Sequence, residues 1–369
     1  MSLEPDESSA HPAIRSLEEA RWSVDRANTW WDSQPLPVGC NFIPSTAINQ
    51  LEMWQEETFD LTTVERELGW AAELGFNAVR VYLHDLVWEQ DSSGFLQRID
   101  EVLEAAKRAE IRVILVLFDD VWNPEPKLGP QPEPFPGRHN SGWVQGPGLA
   151  ALNAYEDHPE IPARLEAYTS GIIGRFATDP RVLMWDVYNE PGGYPSPGAD
   201  PVGEACLPLL ADVFTWARAA KPNQPLTCGL WWNPLNPLPA SIGELQLAGS
   251  DIVSFHHYGP LEDLVELHDR IRTSTDRPLL CSEYLARSMK SRFETHLPAF
   301  RERSVGAISW GLVSGRSQTI YPWWSWFDKK PSPEPEVWFH DILRPDGSPF
   351  DPDETQFLRT FLETTADDR

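Results

Sequence analysis

Eight short apolar runs, alternating with helix-length stretches, constrain this chain more than any other feature. The runs are Val38–Ile43, Asn77–Leu83, Ile111–Phe118, Val182–Glu190, Pro225–Trp232, Asp251–His257, Pro278–Glu283 and Val305–Leu312. They are rich in β-formers and too short for helices, so they read as buried strands. Between and after them lie amphipathic stretches at Leu61–Leu74, Phe95–Ala109, Ala163–Thr178, Gly203–Ala220, Leu261–Ser274, Met289–Arg303 and Asp353–Thr364, with a short helical stretch near Ile242–Leu247. Strand–helix alternation implies a parallel sheet covered by helices. Eight units in 369 residues predict a single (β/α)8 barrel of the α/β class. The alternative is an open doubly wound sheet. That fold often carries a Gly-rich phosphate turn after its first strand, and Gly39-Cys-Asn-Phe-Ile-Pro44 is not one.

Two interruptions stand out. Residues Val121–Pro162, rich in Pro and Gly, follow the third strand, and a Trp-rich stretch, Val313–Phe339, follows the eighth. Loops of such length in a compact domain are usually functional. Residues 1–37 are expected to form an N-terminal extension: a polar start, as a mobile tail or first helix, then a segment that packs on the barrel through Trp22, Trp30 and Trp31. Residues 38–369 are the expected catalytic barrel.

A net charge of −26 argues against nucleic acid and anionic membrane surfaces as partners. Cys40, Cys206, Cys228 and Cys281 lack metal-ligand spacing and sit mostly in apolar runs, so they read as reduced core residues. The first residues show no basic, apolar leader, and no run is long enough to span a bilayer. The expected setting is a soluble cytoplasmic protein. The oligomeric state is not legible.

In a barrel of this kind the C-terminal strand ends form the active site. Here they carry Asn41, Arg80, His84-Asp85, Asp119-Asp120, Asn189-Glu190, Trp231-Trp232, His256-His257-Tyr258, Glu283 and Trp310. Two carboxyl groups on separate strands, backed by Arg, His, Tyr and Trp, suit hydrolysis of a glycosidic bond, which needs an acid and a second carboxylate. Aromatic faces bind the apolar faces of sugars. No cofactor and no metal ligand cluster is implied.

In order along the chain, these motifs resemble those of the (β/α)8 glycoside hydrolase clan that includes the family 5 cellulases and mannanases. The resemblance runs from about Val38 to Leu312. It implies that Glu190, in Asn189-Glu190-Pro191, is the general acid/base and Glu283 the nucleophile. It further implies that Arg80 supports the nucleophile, that His256 and Tyr258 form a His-x-Tyr motif, and that Trp310 is the platform under the reacting sugar. Asn189 would bond a sugar 2-hydroxyl. One departure is Phe118-Asp119-Asp120, where family 5 commonly has a His near the end of the third strand. The expected substrate-binding set is Arg80, Asn189, His256, Tyr258, Trp310, Asn41, Asp119 and Trp232, with His257 turned away by strand alternation.

The reading that follows is a retaining glycoside hydrolase acting on β-linked carbohydrate. Two stiff loops on the catalytic face would wall the site into a pocket, so exo-action or cleavage of short oligosaccharides is expected. The alternatives are a transglycosylase with the same residues and a carbohydrate-binding barrel with a dead site.

Overall fold

The computed structural model describes residues 11–366, apart from residue 197 and residues 232–238. Helices α1 (Ile14–Ala20) and α2 (Val24–Asp32) precede β1 (Val38–Asn41), α3 (Gln50–Trp54) and α4 (Leu61–Glu73). There follow β2 (Ala78–Tyr82), α5 (Asp85–Arg108), β3 (Arg112–Val116), α6 (Leu149–Asn153), α7 (Glu160–Phe176), β4 (Val182–Asp186), α8 (Leu207–Ala219), β5 (Leu226–Thr227) and α9 (Ala240–Gly249). The last units are β6 (Val253–His256), α10 (Leu261–Arg272), β7 (Leu279–Tyr284), α11 (Phe293–Glu302), β8 (Gly306–Ser309) and α12 (Pro352–Ala366).

The strands pair in parallel in the order β5-β4-β3-β2-β1-β8-β7-β6. A single parallel bridge, Leu230 to Phe255, joins the β5 and β6 ends and rounds the sheet into a (β/α)8 barrel. β5 is much shorter than the run Pro225–Trp232 suggests; only Leu226 and Thr227 enter the ladder with β4. α5 begins ten residues before the expected Phe95. It is two helical segments joined at Asp91, whose backbone is extended (φ −156°) and whose side chain caps the second segment through Gly94 N at 2.9 Å. No helix among the described residues is long and apolar enough to cross a membrane. All four cysteines are buried and unbridged.

Strand alternation sorts the barrel lumen into layers. Ala78, Ile114, Met184, Ile252, Leu280 and Ile308 form an apolar floor. Two residues further along, Arg80, Asp186, Ser254 and Ser282 form a buried polar layer. Above it lie Tyr82, Val116 and Trp310, an aromatic layer joined by Trp143 from the loop after β3. A larger apolar shell separates strands from helices.

The floor is closed from below by the N-terminal segment. Trp22 and Trp31 pack into the floor cluster. Asp251, fully buried, accepts from Trp22 N (2.7 Å), Leu226 N (2.8 Å) and Arg218 Nη2 (3.0 Å). The Arg277 guanidinium donates to Trp22 O at 2.7 Å. Truncating a buried paired carboxylate leaves its partners uncompensated, at a cost of about 3–5 kcal/mol. Asp251→Ala should therefore lower the unfolding free energy by roughly that amount in urea. A loss below about 1 kcal/mol would contradict this role for Asp251.

Candidate active site

Leu280 and Ser282 both face the lumen, so strict alternation would point Glu283 outward, toward the helices. A bulge prevents this. On one side His256 pairs with Glu283 although Phe255 pairs with Cys281. On the other side, Cys281 pairs with Ala307 but Tyr284 pairs with Ser309. β7 thus carries one extra residue relative to both neighbours, and a bulge of this kind re-aims a side chain. Glu283 turns into the barrel mouth.

There both its oxygens are held. Glu283 Oε1 accepts from Arg80 Nη1 (2.9 Å) and from the Tyr82 hydroxyl (2.9 Å), and Oε2 accepts from the Tyr258 hydroxyl (2.6 Å). Arg80 is fully buried and also donates to Asp186 (Nε–Oδ2, 2.9 Å), Asn41 Oδ1 (2.9 Å) and Asn189 Oδ1 (2.7 Å). Burial raises the Asp186 carboxyl above its ordinary value, with the Arg80 guanidinium pulling the other way.

Glu190 sits on a strained turn just after β4, with φ +42°, a left-handed value uncommon outside Gly and Asn. Gly192, at φ +78°, completes the turn in a conformation that suits glycine. Asp120 secures the turn by accepting from Gly192 N (2.8 Å) and the Tyr188 hydroxyl (2.7 Å). Glu190 Oε1 meets His256 Nδ1 at 2.7 Å. Burial raises the Glu190 pKa above the ordinary carboxylate value, while the hydrogen bond and charge of His256 pull it down. One oxygen each of Glu190 and Glu283, together with His256 nitrogen, lie within 4.8 Å of one another. That is close to the about 5–5.5 Å carboxyl spacing of double displacement, and well below the about 6.5–9.5 Å that leaves room for a water.

Such a trio has the donor types of a metal site, but most of the acceptor sites of Glu283 are already taken. Arg80, Tyr82 and Tyr258 occupy Glu283, and a buried guanidinium beside it opposes a second cation.

A cavity of about 970 Å³ opens over the pair. Asn189, His256, Tyr258 and Trp310 line it, together with Trp122, Trp143, Tyr194, Trp231 and Trp324. Three expected substrate contacts face the protein instead. Arg80 has no exposed surface and reaches only Glu283 and its neighbours. Asn41 is spent on Ser282 O (2.9 Å), Ser309 O (3.1 Å) and Arg80. Asp119 accepts from Val121 N (3.1 Å), Asn189 Nδ2 (2.9 Å), Trp143 Nε1 (2.7 Å) and Gln50 Nε2 (3.3 Å). Burial pushes Asp119 up to about 8 against those hydrogen bonds. It braces Asn189 and Trp143 and does not line the cavity. Asn189 itself keeps one amide hydrogen for the cavity. Trp232 lies outside the described residues. His257 makes a hydrogen bond with Pro260 O at 3.1 Å and stacks on His296.

Sequence reasoning passed over Tyr82 and did not single out Trp143 from the other tryptophans that could meet a substrate. Tyr82 had a usable signal, because it lies two residues beyond Arg80 and so shares its face of β2. Trp143 lies in a loop, where no periodicity marks which Trp turns inward.

The chain matches the model of the Cellulase family (glycosyl hydrolase family 5) over residues 43–320. It is 26% identical over 223 residues to mannan endo-1,4-beta-mannosidase 8 of Oryza sativa subsp. japonica, covering 54% of this chain. The chain spans about half the length of that curated relative, 55%. Among solved structures it resembles a GH5_18 protein of Streptomyces cattleya in complex with Manb1-4GlcNAc, with TM-score 0.58, 14% identity and 91% and 81% of the two chains covered. It also resembles an exo-beta-1,4-mannosidase of Opitutaceae bacterium strain TAV5, with TM-score 0.58, 16% identity and 90% and 60% covered. At these identities the structural likeness speaks for the fold alone.

The environment of Glu190 yields a test that needs no substrate. Followed by carbon-13 NMR, its carboxyl should titrate above the free glutamate range. In His256→Phe, which keeps the site filled but removes the stabilising partner, it should titrate higher still. An unchanged or lowered midpoint in the variant would contradict the assigned role of His256.

Proposed function

The chain belongs to glycosyl hydrolase family 5, and from that premise we propose that it hydrolyses β-linked glycosides with retention, β-mannosides first among them, by removing the terminal sugar. The observation that carries the chemistry is the close pair of unlike carboxyl groups. Glu283, beside Arg80, is the nucleophile, and Glu190, whose pKa burial raises above the ordinary carboxylate value, is the proton donor. Glu190 protonates the leaving oxygen while Glu283 bonds the anomeric carbon. It then takes a proton from the water that releases the sugar. The similarity to the rice mannan endo-1,4-beta-mannosidase supports β-mannosides over other β-glycosides.

Support for exo-action comes from the two long loops. In the barrel order, β2 and β1 lie between β3 and β8. The loops after β3 and β8 meet across them: Asn140 N bonds Ser317 O (2.9 Å), Trp326 Nε1 bonds His139 O (2.7 Å) and Arg138 Nη2 bonds Asp328 O (2.7 Å) and Lys330 O (2.9 Å). Glu190 delivers its proton from β4, so the leaving group belongs on the β4–β6 side. The tied loops therefore stand behind the retained sugar. Trp143 ends the site there, packed edge-on against Tyr82 (5.1 Å) and Trp310 (5.8 Å).

Two outcomes follow. Glu283→Ala should lose turnover of aryl β-mannosides, and azide should restore part of it with an inverted glycosyl azide, since a small anion can take the nucleophile's place. Rescue confined to Glu190→Ala, with inverted product, would exchange the roles. On soluble mannan, single sugars should appear while viscosity holds. An early fall in viscosity with mixed-length products would contradict terminal action.

A further inference from the structure

The hydrogen bonding around Glu283 distinguishes its two oxygens. Oε1 receives two hydrogen bonds, from Arg80 Nη1 and the Tyr82 hydroxyl, each at 2.9 Å. Oε2 receives one, from the Tyr258 hydroxyl at 2.6 Å, with His256 Nδ1 at 3.5 Å. A carboxylate oxygen has two in-plane acceptor sites. Oε1 is thus saturated, and only Oε2 keeps a lone pair for a new bond.

The direction of the Tyr82 hydrogen bond is also determined. Arg80 has donors only, so the contact between Arg80 Nη1 and the Tyr82 oxygen is donated by Arg80. The phenol hydrogen is then left for Glu283. Burial raises the Tyr82 pKa far above the ordinary phenol, so the hydrogen stays in place. The ring cannot swing away. It is buried between Trp143 and Trp310, with centroids at 5.1 and 5.9 Å, and Trp54 Nε1 holds its backbone carbonyl at 2.7 Å.

We propose that Glu283 Oε2 is the attacking atom, and that Tyr82, with Arg80, is a positioning residue that holds Oε1 as the carbonyl oxygen of the covalent glycosyl–enzyme ester. This deepens the retaining reading and rests on it. In the first step an Oε2 lone pair forms the bond to the anomeric carbon as the bond to the leaving oxygen breaks. The Glu190 proton goes to that oxygen. In the second, a water oxygen bonds the anomeric carbon and Glu190 takes one of its protons. The pair in the C–Oε2 bond returns to Glu283. The returning charge spreads onto Oε1, where two donors are already aimed, and preorganised donors of this kind lower the barrier without rearrangement.

Removing one oxyanion donor elsewhere costs about 10²–10³ in rate; with Arg80 still present, Tyr82→Phe should cost about 10–100-fold in kcat with little change in KM. The acidic limb of its pH–rate profile should move to higher pH, because the ionised nucleophile loses a donor. Neither change is expected of a residue that only packs, and a melting temperature close to the parent's separates the two cases. A second measurement needs no variant. Trapping the wild-type enzyme with a 2-deoxy-2-fluoro β-mannosyl fluoride and solving its structure should show the sugar on Oε2, with Oε1 still within hydrogen-bond distance of Arg80 and Tyr82. A sugar on Oε1, or a Tyr82→Phe variant with parental kcat and acidic limb, overturns the proposal. If azide fails to rescue Glu283→Ala, the retaining reading itself falls; if azide rescues it while either of those results is found, only the role of Tyr82 does.

Discussion

The Arg80 guanidinium, without contact to solvent, draws Asn41 from β1, Tyr82 from β2, Asp186 and Asn189 from the β4 segment and Glu283 from β7 to one point. Burying such a charge costs several kcal/mol unless the surroundings answer it. Here they do, with two carboxylates and three neutral oxygens. The same contacts divide the labour between the two glutamates. Glu283 lies against the cation and its phenol neighbours. Glu190, bonded to His256 Nδ1, has burial as its strongest influence and holds its proton more tightly than an ordinary carboxyl. The proposed nucleophile and the proposed acid, of one residue type, thus sit in unlike environments a few ångströms apart.

Much of this was legible in the sequence because it depends on periodicity and on chain order. The eight strands, the outward helices and the delivery of Glu190 and Glu283 to one face follow from apolar runs that end in polar residues. What stayed hidden depends on departures from regularity. The extra residue in β7 is invisible in Leu279–Tyr284, yet without it Glu283 would face the helices. β5 looks like an eight-residue strand, but only two residues pair with β4. Asp119 and Asp120 carry no pattern that separates a sugar contact from a brace. Their hydrogen-bond partners, Trp143 and Gln50 for one and Tyr188 and Gly192 for the other, lie far from them in the chain or across a turn. Where a His is common in family 5 near the end of the third strand, this chain presents Asp119 to Trp143 and lets Tyr82 of the neighbouring strand reach the nucleophile.

The two ends of the barrel are finished by segments outside the regular repeat. Below, Trp22 and Trp31 seal an apolar floor that would otherwise meet water. Above, the loops after β3 and β8 are bound to each other by backbone and side-chain hydrogen bonds, so each limits the movement of the other. A mouth walled on the β1–β2 side, with Trp231 and residues of α10 lining its other side, has a direction. That direction, rather than the identity of any one aromatic, supports the proposed removal of a terminal sugar.

The central claim is that Glu190 and Glu283 act on opposite sides of one anomeric carbon in two successive displacements. The most direct measurement is proton NMR of the first product formed from an aryl β-mannoside, recorded before the free sugar mutarotates. The account predicts the β-anomer first, with the α-anomer growing in later by mutarotation. An α-anomer at the earliest time points would mean a single displacement by water, which a pair whose oxygens lie within 4.8 Å has no room to perform.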